Sequence, residues 1–147
     1  MGYRRRAREL AMQALFFMDK RRDLSKEALG FYCEHFPPSQ KALPFFMKLA
    51  TGVLDCRTEI DSIIETYSDN WKISRMSGVD RNVMRIAVYE LLNCRDIPPK
   101  VSINEAIDIG KKYGTEESGA FVNGILDTIR KAMESDQIKT RRASVNE

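Results

Sequence analysis

The sequence predicts an all-α protein of about seven helices. Apolar residues recur at helical spacing through most of the chain, and proline, glycine and hydroxyl residues divide it into helix-length segments. No stretch alternates apolar and polar side chains as a strand would. The first helix opens on Arg4, Arg5, Arg6 and Arg8. At about 100° per residue, Ala7, Leu10, Ala11, Ala14, Leu15, Phe17 and Met18 share one arc. That places Arg5, Arg8, Glu9, Met12, Gln13 and Phe16 on the outward side. Ser25 can cap a second helix through about Phe36, with Leu29, Tyr32, Cys33 and Phe36 buried, and Pro37-Pro38 stops it. Leu43 to Tyr67 reads as a long third helix. Its apolar face is Phe46, Met47, Ala50, Val53, Leu54, Ile60, Ile63, Ile64 and Tyr67, and Pro44 suits its first turn. Asp69 to Arg75 is expected to form a short helix anchored by Trp71 and Ile73 and ended by Ser77-Gly78.

Val79 to Cys94 is apolar almost all round, as befits a helix at the centre of a bundle. Glu90 lies within that apolar surface and therefore needs a partner; an arginine from a neighbouring helix is expected. After the break at Pro98-Pro99, Ser102-Ile103-Asn104-Glu105 has the capping-box pattern, and Gly114 supplies a left-handed stop beyond Tyr113. Thr115 can cap the last helix, whose core side is Ala120, Phe121, Gly124, Ile125, Thr128, Ile129 and Ala132. Close approach of another helix would explain Gly124. Residues 1–133 read as one domain, and the polar stretch 134–147 reads as a flexible tail.

The chain of 147 residues carries a formal charge of +3, with 24 basic and 21 acidic residues. Net charge therefore does not announce a nucleic-acid ligand; local clustering must. Cys33, Cys56 and Cys94 are widely spaced and read as buried thiols of a reducing cytosol. A charged helix start directly after Met1 leaves no secretory apolar segment, and no apolar run reaches membrane-spanning length. A soluble cytoplasmic protein is expected. The sole histidine, His35, stands at a helix end, and no P-loop, GxGxxG, HExxH or GxSxG pattern occurs. Catalytic residues, metal ligands and cofactors are accordingly not expected.

Two segments suggest binding instead. In the first helix, guanidinium groups suited to phosphate stand beside an outward Met12 and Phe16, apolar groups that a merely solvated face does not require. The second segment, Lys111-Lys112-Tyr113-Gly114-Thr115, joins the last two helices and ends at a helix N-terminus, where amides and the hydroxyls of Thr115 and Ser118 could receive a phosphate. Glu116 and Glu117 oppose an anion there. Arg5 and Lys112 read as exposed charges without an obvious partner, and the two segments are expected to form one continuous path.

Three blocks, in order, resemble the NusB family of bacterial transcription antitermination factors. They are Arg4-Arg5-Arg6-Ala7-Arg8-Glu9-Leu10 followed by Gln13-Ala14-Leu15; Asp80-Arg81 through Arg85-Ile86-Ala87-Val88-Tyr89-Glu90-Leu91; and VSINEAIDIGKKYGTEESGAFVNGILD from Val101 to Asp127. Departures are mild: Ser102 stands where alanine is common, and Phe16 where tyrosine is often found. The resemblance implies two packed helical subdomains. It also implies binding to boxA RNA of ribosomal-RNA operon leaders together with NusE, and assembly with NusA, NusG and RNA polymerase. Carried over by position, the RNA surface comprises Arg4, Arg5, Arg6, Arg8, Lys111, Lys112, Tyr113, Gly114, Ser118 and Phe121, and the NusE surface Asp80 with Met12 and Phe16. One rival reading is a NusB-like module serving another protein, such as a ribosomal-RNA methyltransferase. A second is a homodimer closed by the basic helix.

Overall fold

The computed structural model describes residues 2–138. Among these residues six helices run in order: α1 Gly2–Lys20, α2 Lys26–His35, α3 Leu43–Thr66, α4 Gly78–Asn93, α5 Pro99–Tyr113 and α6 Ser118–Glu134. A single 3-10 turn, Ile73–Arg75, takes the place of the short helix expected before α4. The described residues contain no strand.

Helix α4 is the spine, touching α1, α3, α5 and α6. Val83, Met84, Ile86, Ala87, Val88, Leu91 and Leu92 are all buried, as its apolar circumference requires. Ser77 caps it, its hydroxyl accepting from the Asp80 amide at 3.1 Å. With α1 to α3 on one side and α5 and α6 on the other, the bundle consists of two helical groups joined through α4. Arg85 ties α4 to the first group: it is buried and donates to both oxygens of Asp61 on α3 at 2.8 and 3.0 Å and to Asp19 on α1 at 3.0 Å.

Helix α1 departs most from expectation. It packs against both α3 and α4, so Arg8, Glu9 and Met12 are buried together with Ala7, Ala11, Ala14, Leu15 and Met18. A helical wheel identifies one apolar arc, whereas a helix wedged between two neighbours buries a second. Alanines at 7, 11 and 14 permit that double contact by letting backbones approach. Met12, expected outward, is only 2% exposed.

Ser25 caps α2 as expected, accepting from the Ala28 amide at 3.0 Å. That helix is peripheral, and only Leu29 is fully buried; Phe36 is 59% exposed rather than in the core, its ring leaning on Tyr32. His35 donates through Nδ1 to the Phe31 carbonyl at 3.0 Å, a helix-end role. Helix α3 has Pro44 in its first turn and breaks helical geometry at Cys56. At Gly52 any Cβ would overlap the Tyr89 ring, so glycine sets how closely α3 and α4 approach. Trp71 is exposed instead of anchoring the α3–α4 connection; Met76 is the buried apolar side chain there. Of the three free thiols, Cys94 alone is fully buried.

The capping box expected at Ser102 is absent. Pro98 and Pro99 start α5 four residues earlier, with Pro98 as the cap in place of Ser102, because proline suits a first helical turn. Ser102 and Glu105 then fall inside the helix and serve tertiary partners. Gly114 is not left-handed, with φ −102°; a Cβ there would run into Ser118 and the Gly110 carbonyl. Helix α6 begins at Ser118, beyond Thr115, and its buried face is Ser118, Gly119, Val122, Ile125, Leu126, Ile129 and Ala132. Ala120, Gly124 and Thr128, expected in the core, are exposed: Val122 and Leu126 turn the larger apolar surface inward. Gly124 faces open space. Beyond Glu134 the Gln137 amide bonds back to the Ala132 carbonyl at 2.8 Å, and Ile138 packs against the core. The rest of the expected tail, residues 139–147, lies outside the described residues. No helix among the described residues is long and apolar enough to cross a membrane, and none of their side chains form a metal-binding cluster.

Candidate nucleic-acid interface

Arg8 lies at the centre of the basic region but does not belong to its surface. Its side chain is 5% exposed and grips Glu90, whose side chain is 1% exposed, through Nε at 2.7 Å and Nη2 at 2.9 Å. This is the arginine that Glu90 requires. The Ser102 hydroxyl donates to the same carboxylate at 2.7 Å, and the Arg8 guanidinium also reaches Glu105 at 3.3 Å. Burial disfavours the charge on Arg8, but the bonds and field of Glu90 outweigh it and raise its pKa. Arg8, expected to face RNA, is thus a core cation whose donors are committed inside the protein.

Around it the other arginines reach the surface with carboxylates beside them. Arg5 bonds Glu105 through Nη2 at 2.8 Å and Asp108 at 2.9 Å. The Glu105 hydrogen bond raises the Arg5 pKa, and the Arg5 hydrogen bond lowers that of Glu105. Arg4 lies 3.3 Å from Asp96 and stacks 5.0 Å from the Phe45 ring centroid. The expectation of an unpartnered Arg5 therefore fails.

Glu9 joins the two basic segments. Its buried carboxylate accepts from Arg6 at 3.1 Å and from Lys112 at 3.0 Å, so the start of α1 and the end of α5 meet on one residue. Burial works against ionisation, but the bonds from Lys112 and Arg6 prevail and hold its carboxyl below the usual range. Lys112 likewise has a partner, contrary to expectation. Its amine also lies 5.3 Å from the half-buried Tyr113 ring. The i,i+3 spacing of Arg6 and Glu9 was visible in sequence, but nothing linked either residue to position 112.

The loop after Tyr113 is held from within by Ser118. That side chain is buried, and its hydroxyl accepts from the Thr115 amide at 2.9 Å, so Ser118 shapes the loop without being exposed for a ligand. Lys111 projects outward with its stem lying over Gly119. Phe121 is partly buried and meets Trp71 edge-on at 5.5 Å; Trp71 is 52% exposed. Trp71 thus borders the site, a position that the sequence reading gave to the core.

A second patch lies at the far end of α1. Phe16 is half-buried over Gly78, where any Cβ would fall 2.6 Å from the ring, and Lys20 lies 5.7 Å from its centroid. This sets Phe16 against the first turn of α4, which carries Asp80. Asp80 Oδ1 is buried without a hydrogen-bond partner among the described residues. The ten-residue interval from Arg6 to Phe16 separates the two patches by roughly 15 Å along α1.

Residues 5–131 match the model of the NusB family. The transcription antitermination protein NusB of Desulfatibacillum aliphaticivorans is 59% identical over 129 residues, covering 88% of this chain and 90% of that protein. NusB of T. maritima superposes with a TM-score of 0.77 at 40% identity, over 92% of this chain and 97% of that one. A chain in the crystallised complex of the antitermination factors NusB and NusE with double-stranded RNA gives 0.78 at 34% identity, over 90% and 98% of the two chains. With its three sequence blocks, its helical order and these likenesses in agreement, the chain belongs to the NusB family.

Proposed function

We propose that the protein is a transcription antitermination factor that binds boxA RNA of ribosomal-RNA operon leaders together with NusE. This pair would nucleate a complex with NusA, NusG and RNA polymerase in the cytoplasm. Support comes from membership of the NusB family, from relatives named for antitermination and from the solved assembly of NusB, NusE and RNA. The observation that carries the reading is the shared carboxylate of Glu9, which merges two basic segments into a single strip. The role is binding rather than catalysis.

The strip comprises Arg4, Arg5, Arg6, Lys111 and Lys112, with Tyr113, Gly114 and Phe121 beside them. Arg8 and Ser118 contribute from within, by fixing α1 against α4 and by shaping the loop. Cationic groups of this kind suit phosphates, and aromatic side chains suit unpaired bases. Glu9, Asp96, Glu105 and Asp108 offset much of the strip's charge. Its pull on RNA alone is therefore modest, and a second protein adds the missing contacts. Phe16 and Asp80 form the NusE-facing patch; buried Met12 supports it from below. The test is a titration of boxA and scrambled RNA with NusE present and absent. Preference for boxA that strengthens with NusE is expected; equal binding of both RNAs with NusE present would refute sequence-specific recognition.

A further inference from the structure

An open cleft of about 590 Å³ lies where the first turns of α1 and α3 meet, lined by Tyr3, Arg4, Lys41, Pro44, Phe45 and Lys48. No sequence block pointed to it. Its chemistry differs from that of the strip in one respect. In the strip, carboxylates stand against most of the cations, whereas Lys41 and Lys48 make no ion pair among the described residues. Asp96, exposed and bonded to Arg4, also lies within the field of Lys48; against desolvation, Arg4 and Lys48 together hold its carboxyl below the usual range. Phe45 is only 8% exposed, and the guanidiniums of Arg4 and Arg8 lie 5.0 and 5.2 Å from its ring centroid, so the cleft floor is fixed. Tyr3 stands at the rim, 45% exposed.

Arg4 belongs to both surfaces, which makes the cleft a continuation of the strip past the start of α1. Two ammonium groups outside any ion pair among the described residues, a shared guanidinium and an exposed phenol ring form the combination that tracks single-stranded nucleic acid: charges for the backbone, a ring for a base. We propose that this cleft holds RNA nucleotides flanking the segment bound by the strip, with Lys41 and Lys48 on phosphates and Tyr3 against an unpaired base. The assignment rests on the RNA-binding reading above.

The test uses the full chain with NusE and two RNAs: the shortest boxA RNA that binds, and that RNA lengthened by a few unpaired nucleotides at either end. The wild-type protein should bind the longer RNA more tightly and with a steeper salt dependence. Lys41→Gln/Lys48→Gln should lower the salt slope for the longer RNA by about 1.4, two lost phosphate contacts at roughly 0.7 each, and leave the short RNA unaffected. Tyr3→Ala should weaken only the longer RNA, by roughly tenfold. Equal losses on both RNAs, or none on either, would overturn the proposal. So would lysine substitutions that weaken NusE binding instead, since the cleft would then hold protein. Failure of the wild-type chain to bind the short RNA would overturn the RNA reading itself, and the cleft assignment with it.

Discussion

Replacing Arg8 by methionine removes the guanidinium that neutralises Glu90 inside the bundle. Methionine can fill much of the space, so the loss is chiefly electrostatic. Glu90 keeps the Ser102 hydroxyl as a donor but loses the buried cation that balances its charge. Breaking a buried ion pair by deleting one partner costs about 3–5 kcal/mol. For a chain of this size that lowers the melting temperature by roughly 6–20 °C, at about 2–4 °C per kcal/mol. Arg5→Ala provides the contrast, because Arg5 is 39% exposed and its carboxylates can turn to water. Its stability loss should stay within about 1 kcal/mol, while RNA affinity falls. The assay pairs thermal or urea unfolding with RNA titration, normalised to the folded fraction. Arg8→Met/Glu90→Leu/Ser102→Ala, which replaces the whole polar cluster by apolar groups, should regain most of the stability. An Arg8→Met protein that melts like wild type but no longer binds RNA would refute the internal role and return Arg8 to the RNA surface.

Three further outcomes are expected. Gly52→Ala should destabilise by about 1–3 kcal/mol, because the methyl group would collide with Tyr89, whereas Gly124→Ala, which meets nothing, should stabilise by up to about 1 kcal/mol; chemical denaturation distinguishes them, and equal effects would contradict the packing. The folded pKa of Glu9 is depressed, so its stabilisation is complete above the ordinary glutamate value and is lost as pH falls through the folded one. Melting temperatures measured from about pH 4.3 downward should therefore fall less steeply in Glu9→Gln than in wild type, and parallel curves would count against the clasp. Trp71 is the chain's only tryptophan and touches Phe121; RNA binding should alter its emission, and binding that leaves the emission unchanged would place the RNA elsewhere.

Helix boundaries were largely legible in the sequence because prolines, caps and apolar spacing are local signals. The central place of α4 and the need of Glu90 for an arginine were legible for the same reason: an apolar circumference has few other homes. Orientation was harder. The outward reading of Arg8 and Met12 assumed one buried arc on α1, but besides Phe45 of α3 they are covered by side chains of α4 and α5, more than 70 residues away in sequence. In α6 the small residues at 120, 124 and 128 drew the core stripe to the wrong side, since Val122 and Leu126 carry more apolar surface. Both basic segments of the site could be located. Their meeting point at Glu9 could not, because an ion pair spanning 103 residues leaves no trace in spacing. Trp71 was misread because large aromatics usually serve as anchors.

The wedging of α1 between α3 and α4 has a consequence for how ligands are met. An N-terminal helix ordinarily frays, and a protein that orders one upon binding loses conformational entropy in the same step. Here Arg5 and Arg6 stem from a segment fixed on both sides, and their guanidiniums are already steered by carboxylates. On the proposed reading, RNA arriving at this surface would exchange one set of oriented charges for another, with little of α1 left to immobilise. With α1 ordered by folding, discrimination between RNAs would then fall to groups that encounter bases rather than to any adjustment of the backbone beneath them.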